Sequence, residues 1–192
     1  MRNVFVKGQN ETLDFSVEED TRLIVVPSGE VSVNVEVVKE GVSAELVVLY
    51  ALHGDASVSL ATNSVHKIPH TSCNVIVRSA LFDSSKSSFE GKIYIGKEAQ
   101  GTVSYLEDNV LSVGDKVKNS SKPILEILAD DVKASHGATT GRLDETSLYY
   151  LQSRGLSREE AERLSIEGFF ESVLGKIDDA EVLAAARKEL HV

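Results

Sequence analysis

The chain has 192 residues and is 42% hydrophobic, so it can bury a sizeable core in one domain plus an appendage. Its formal net charge of −10 argues against nucleic acid or an anionic membrane as a partner, since both are polyanions. The single cysteine, Cys73, rules out an intramolecular disulfide and a thiolate-only metal site within one chain, and it suits a reducing cytosol.

The N-terminal stretch MRNVFVKGQNETLDF carries charges inside its apolar run, unlike a signal peptide. No apolar stretch approaches the roughly 20 residues that a membrane helix needs. A cytoplasmic chain is the expectation.

Up to about Ile127 the pattern is one of short strands. Val31 to Val37 alternates with period two, as a half-buried strand does. Ala44 to Ala51 is an apolar run but for Glu45, read as a strand buried on both faces. Ala56 to Leu60, Val75 to Val77, Gly91 to Ile95 and Thr102 to Leu106 continue the series. Turn residues punctuate it at Gly41, Gly54-Asp55, Asn63-Ser64, Asp83 to Ser85, Gly101 and Asp108-Asn109. Strands recurring about every ten residues mean a sandwich, a barrel or a β-helix. A sandwich needs tight hairpins, and no Asn-Gly or Asp-Gly stands at a clear hairpin centre. No sharp repeat motif selects a β-helix either, so patterning leaves the two open.

After Ala134 the composition shifts. A Gly/Thr-rich turn containing His136 leads into helices. Asp144 can cap a short helix with Leu148 and Leu151 on one face and Gly155 beyond its end. Ser157-Arg158-Glu159-Glu160 reads as a capping box. It opens a helix in which Ile166, Phe169, Phe170, Val173, Leu174 and Ile177 recur at helical spacing, with Gly175 near its end. Asp178 to Glu181 reads as a second box, before AEVLAAARKEL. These helices either fold back on the β body or form a docking surface.

The densest polar cluster is Glu126, Asp130, Asp131, Ser135, His136 and Asp144. Such a set could hold a divalent metal or supply a carboxylate pair for hydrolysis. Set against this, an Asp-Asp pair in a turn commonly bonds its own backbone. His66 and His70 could bring two imidazoles together, and Cys73 reads as a small packing residue. Neither GxxxxGK[ST] nor GxGxxG occurs, so the chain does not hydrolyse ATP by the P-loop route.

The stretch PILEILADDVKASHGATTGRLDETSLYYLQSRGLSREEAERLSIEGFFESVL resembles the C-terminal signature of the SufB/SufD family, scaffold components of the SUF iron–sulfur cluster assembly machinery. The likeness is close at Leu125 to Ile127, Ala129 to Val132, Ser135 to Thr139, Gly141, Leu143-Asp144, Tyr150-Leu151, Ser153 to Gly155, Glu160-Ala161 and Gly168-Phe169. A weaker likeness reaches back through HKIPHTSCNVIVRSAL and SSFEGKIYIGKEAQGT. SHGAT followed by GRLD is similar to the SufD version.

The resemblance implies a mainly β fold: a right-handed parallel β-helix over 1–141 and a C-terminal α-helical region over 142–192. It implies a non-enzymatic scaffold with two kinds of partner. One is a SufC-type ABC ATPase docked on the helical region, for which Leu151, Arg154, Phe169 and Phe170 are the candidate contacts. The other is a SufB-like subunit, or a second copy of this chain in a homodimer, paired through the β-helix. His136 matches the histidine that SufD-type members place at the subunit interface, so it is the candidate contact for iron or a transient iron–sulfur cluster, with Glu126 and Asp130 as possible neighbours.

The sequence also departs from the family pattern. Members are usually about twice this length. Where SufD members often read VKCSHG, Ala134 stands here, so that thiol is missing. The family's Asn-Arg pair is replaced in Glu107-Asp108-Asn109, without the Arg. Two other readings stay open: a β-helix structural homodimer without a cluster role, and a carbohydrate-active or metal-dependent hydrolase. The absence of Trp and the 6% aromatic content disfavour the hydrolase, because sugar clefts usually offer stacking rings.

Overall fold

The computed structural model describes residues 1–190. His191 and Val192, the end of the 142–192 region, lie outside the described residues. Nine strands come first: β1 (Arg2–Val17), β2 (Thr21–Val37), β3 (Ser43–Leu52), β4 (Ser57–His66), β5 (Ser72–Leu81), β6 (Lys86–Ile95), β7 (Thr102–Ser112), β8 (Lys118–Ile127) and β9 (Val132–Arg142). Three helices follow: α1 (Glu145–Ser153), α2 (Arg158–Leu174) and α3 (Ala180–Leu190).

Every strand pairing is parallel, in the order β8-β6-β4-β2-β3-β5-β7-β9, with β1 alongside β2. The key is β2. Its residues 21–25 pair with β3, and its residues 29–37 pair with β4. One strand therefore passes from one wall into the other, and from there the chain alternates walls: β3, β5, β7 and β9 in the first, β4, β6 and β8 in the second. This is a parallel β-helix, the architecture implied by the family resemblance. It also explains the missing hairpin signals, because no two consecutive strands are joined as an antiparallel hairpin.

The coils are not uniform. Glu11 pairs with Val31, a step of 20 residues (31 − 11), and Ser57 pairs with Lys86, a step of 29 (86 − 57). Lys86 pairs with Lys118, a step of 32 (118 − 86).

Corners replace hairpins. The backbone is left-handed at Gly41 (φ 75°), His70 (φ 54°) and Gly101 (φ 70°). These corners stack from coil to coil. Gly41 N–H donates to His70 O at 3.0 Å, His70 N–H to Gln100 O at 2.8 Å, and Gly101 N–H to Asp131 O at 2.7 Å. A Cβ on Gly101 would fall 2.3 Å from His70 Nδ1, so this corner requires glycine.

Two apolar clusters hold the fold. The first fills the interior between the walls and includes Val33, Val35, Leu46, Val48, Leu60, Val75, Val77, Phe89, Ile93 and Leu106. The second lies on the outer face of the first wall, where Val47, Leu49 and Ala80 meet Ile166, Phe170, Val173, Leu174, Ala186 and Leu190. Val47 to Tyr50 are therefore buried on both sides, as their unbroken apolar run predicts. Each fully buried large side chain contributes about 1.5–3 kcal/mol. Of the two possibilities for the helices, α2 and α3 fold back on the β body.

The helix starts follow from their caps. Asp144 accepts from the Thr146 and Ser147 N–H groups, and Ser157 and Glu160 form the reciprocal box. The third start differs from the expected Asp178–Glu181 pairing. Asp179 Oδ1 accepts from Glu181 and Val182 N–H, while Asp178 takes the Asn3 side-chain amide at 2.9 Å. The stretch around His136 differs too. It is no turn but the middle of β9, in register with β7. An edge strand with solvent beside it tolerates Gly137 and Gly141, where a turn was expected from composition. Likewise β4 and β7 run straight through Asn63-Ser64 and Asp108-Asn109, which read as punctuation in the sequence.

Candidate functional site at the open end of the solenoid

The walls end in β8 and β9. Each pairs on one side only, β8 with β6 and β9 with β7. Their outer edges carry no strand partner among the described residues, so the solenoid ends in an open mouth. His136 stands there. It pairs with Leu106, a core residue whose side chain points inward, so His136 also faces the inside of the coil. It is nonetheless exposed, because no coil lies above it. Leu125, Val132 and Ala134 pack against the interior beside it, and the rim carries the exposed side chains of Ile127 and Leu128, the latter 54% exposed.

The acids predicted as its companions lie elsewhere. Glu126 faces outward from β8 and pairs with Lys92 at 2.6 Å. Asp130 and Asp131 occupy the corner before β9, where Asp131 N–H donates to the Gln100 side chain at 2.8 Å. Asp144 is spent on capping α1. Ser135 lies opposite Tyr105, on the outer face. Among the described residues no three His, Cys, Asp or Glu converge in a way that could hold a metal. Among the described residues His136 is thus a lone imidazole at a mouth, with no second ligand beside it.

Of the other candidate groups, His66 and Cys73 are sealed. His66 is buried in the corner that leads to β5. Its Nδ1 lies 2.7 Å from Thr71 Oγ1 and its Nε2 3.3 Å from Ser104 Oγ, which donates to Cys73 O at 2.7 Å. Burial lowers its pKa to about 4, so it is a neutral structural imidazole. His70 is exposed in the same corner, so the two imidazoles do not meet. Cys73 is buried, and burial pushes its thiol up to about 12, far from thiolate chemistry.

One functional-looking residue gave no sequence signal. Asp108 is 0% exposed inside the last coils. Burial raises its pKa, opposed by the hydrogen bond from Ser121 and by the charge of Arg78. Next to Asn109 it reads as an ordinary turn acid, and only the register of β7 places it inside.

The helical contacts also sort by burial. Phe170 is 0% exposed and packs onto the wall, so it supports the helix instead of facing a partner. Phe169 is half-buried, edge-on to Phe170 with ring centroids 5.3 Å apart. Leu151 is half-buried and Arg154 exposed, at the end of α1. The side chains that do face solvent are Tyr149, 74% exposed, with Tyr150 beside it and Leu164 on α2. No described helix is long and apolar enough to cross a membrane.

Comparison with known proteins places these features. The family described as "SUF system FeS cluster assembly, SufBD core domain" matches residues 29–169. The iron–sulfur cluster assembly protein SufD of Bacillus subtilis is 36% identical over 124 residues, 65% of this chain and 28% of that protein. A SufBD family iron–sulfur cluster assembly protein of Mycobacterium leprae is 34% identical over 174 residues, 84% of this chain and 44% of that protein. The SufB protein of Bacillus subtilis is 32% identical over 119 residues, 62% of this chain and 25% of its own length. In each case the chain spans less than half the length of the relative it matches. With the family matched across both walls, the mouth and the first two helices, this chain belongs to the SufBD core family of the SUF iron–sulfur cluster assembly system.

Proposed function

We propose that the chain is a non-enzymatic scaffold or accessory component of iron–sulfur cluster assembly. It pairs through the open end of its β-helix with a SufB-like subunit or a second copy of itself, and it docks a SufC-type ABC ATPase on its helical region. The observation that carries this reading is the mouth. Two strand edges without strand partners among the described residues, and the apolar rim at Ile127 and Leu128, favour pairing by strand addition. His136 on the inner face of that mouth would then contact iron or a transient cluster as cargo, with the remaining ligands supplied by the partner. A ligating imidazole must be neutral, so this contact weakens as pH falls. The cytoplasm is the compartment that suits the reading.

For the ATPase, Tyr149 and Tyr150 are the exposed anchors, with Arg154 beside them. A deletion from Ser157 onward would also uncover Val47 and Leu49, so a failure to bind would be ambiguous. The cleaner experiment is co-purification of the ATPase with the full chain carrying Tyr149→Ala and Tyr150→Ala, alongside Leu128→Asp for pairing. The reading expects the tyrosine pair to lose the ATPase and keep pairing, and Leu128→Asp to do the reverse. Undiminished binding and pairing in both would overturn it.

A structural pair without a cluster role is the second reading. It is favoured by one observation: the only thiol, Cys73, is sealed in the core. Anaerobic reconstitution of the chain paired with its SufB-like partner, comparing absorption spectra of wild type and His136→Ala, separates the two. A cluster spectrum lost in the variant supports the scaffold, and identical spectra support the structural pair.

A further inference from the structure

The outer face of the second wall carries a groove of about 520 Å³ at the N-terminal ends of β4, β6 and β8. Strand register builds its floor from two rows. Ser57, Lys86 and Lys118 stand side by side in one, and Glu30, Ser59, Ser88 and Ser120 in the next. Alternation along the strands turns these side chains away from the core, and both lysines are exposed.

The two lysines are neighbours on adjacent strands, whose backbones lie about 4.8 Å apart. Like charges in that position repel each other. The other two lysines of β4, β6 and β8 are neutralised: Lys122 pairs with Glu90 at 2.9 Å and Lys92 with Glu126 at 2.6 Å. No carboxylate among the described residues pairs with Lys86 or Lys118. In a chain of net charge −10, two unpaired cations therefore share one groove. Free donors stand beside them. The hydroxyls of Ser88 and Ser120 bond no protein group among the described residues. Asn10, at the far end, spends its Oδ1 on the Glu30 N–H at 2.9 Å, which leaves its side-chain NH₂ to donate. Glu30 is the one carboxylate in the lining, and it sits on β2, two strand spacings or roughly 10 Å from β6. An anion is thereby directed over β6 and β8. No aromatic ring lines the groove and Val58 is its one apolar side chain, so nothing there stacks on a base or holds an acyl chain.

We propose that this groove binds the phosphate end of a small, polar phosphorylated molecule. Lys86 and Lys118 share its charge, and Ser88 and Ser120 donate to its oxygens. A phosphate dianion matches two ammonium groups where a carboxylate matches one, and its oxygens point toward both rows at once. The negative field of the whole chain opposes a long polyanion. At physiological salt that field is screened beyond about 8 Å, so the adjacent lysine pair decides for a small anion. This goes beyond the scaffold reading and does not depend on it, since that reading uses none of these side chains.

The test titrates the isotope-labelled full chain with inorganic pyrophosphate, and separately with inorganic phosphate, at neutral pH and constant ionic strength. Saturable amide shifts should be confined to residues 57–59, 86–88 and 118–120. Lys86→Gln and Lys118→Gln should each weaken binding by about tenfold, the loss of one charge-assisted contact. Both side chains are exposed, so neither variant endangers the fold. Lys92→Gln and Lys122→Gln remove the same charge from the same wall and should leave the affinity within about twofold of wild type. Absence of saturation, shifts spread over all the lysines of the chain, or an equal loss in Lys92→Gln would each overturn the proposal. Lys86→Glu gives a second readout. It sets opposite charges side by side, so it should abolish pyrophosphate binding while holding or raising the urea midpoint. A lowered midpoint would mean that Lys86 already has a stabilising partner, and that too overturns the site.

Discussion

Arg78 and Phe169 meet across the seam between wall and helix, the guanidinium carbon 5.9 Å from the ring centroid. The same Arg78 donates to Glu107 at 2.8 Å, which fixes the head group over the ring. The side chain thereby joins β5, β7 and α2 at one point. Arg78→Met keeps much of the packing volume and removes the charge. The expected loss is about 0.5–2 kcal/mol, read as a shift in urea midpoint, since a partly desolvated cation–π contact and its ion pair lie in that range. An unchanged midpoint would mean that the contact contributes nothing.

Phe170 anchors the same seam from within. It is fully buried between α2 and the outer face of the first wall, so Phe170→Ala should cost about 3–5 kcal/mol. The measurement is chemical denaturation. A loss below about 1 kcal/mol would show that α2 is not held by this side chain.

The pH dependence has a definite sign. The His66 pKa falls from 6.5 to about 4 in the fold because burial disfavours the cation. Between those values the unfolded chain binds more protons, so stability rises with pH across that window and is lost as pH falls through it. The contribution is roughly 3 kcal/mol from this one group. Urea midpoints of wild type and His66→Asn from pH 7 down to pH 4 check it. The slope should flatten in the variant, and an equal slope would assign the acid sensitivity to other groups.

Cys73 should be silent to thiol reagents. Its sulfur is buried and its ionisation is pushed up to about 12. Modification by a disulfide reagent at pH 8 should therefore proceed only as fast as the chain unfolds, and should accelerate in step with urea-induced unfolding. Rapid stoichiometric labelling of the folded chain would contradict the burial.

The corner at Gly101 gives a backbone prediction. Its φ is positive and a Cβ would strike the His70 ring. Gly101→Ala should lose about 1–3 kcal/mol. The paired change His70→Gly with Gly101→Ala should recover the steric part and leave the conformational part. If the single and the double variant are equally destabilised, the ring is not the obstacle.

The helices were legible because their signals are local. Asp144, Ser157 and Glu160 act on N–H groups within three residues, so their chemistry can be read without knowing the fold. The double burial of Val47 to Tyr50 was legible as an unbroken apolar run. Patterning could not separate a β-helix from a sandwich, because the difference lies in which strand each one pairs with. That is set by steps of 19 (21 − 2) to 32 (118 − 86) residues, carried by corner geometry and not by a motif. Only the family resemblance supplied it. Asp108 was hidden for a related reason. Its neighbour Asn109 and its charge imitate a turn, and its burial depends on a wall formed by distant residues. Glu126, Asp130 and His136 are close in sequence yet face different ways, since alternation along a strand and a corner between walls separate them.

The change in coil length has a consequence for assembly. Near β1 a coil takes 20 residues, and at β8 it takes 32. The coil therefore widens along the chain from β1 to β8. A strand added at the β8–β9 mouth has to match the wide coil, since a segment wound like the narrow one would run out of chain before it reached the second wall.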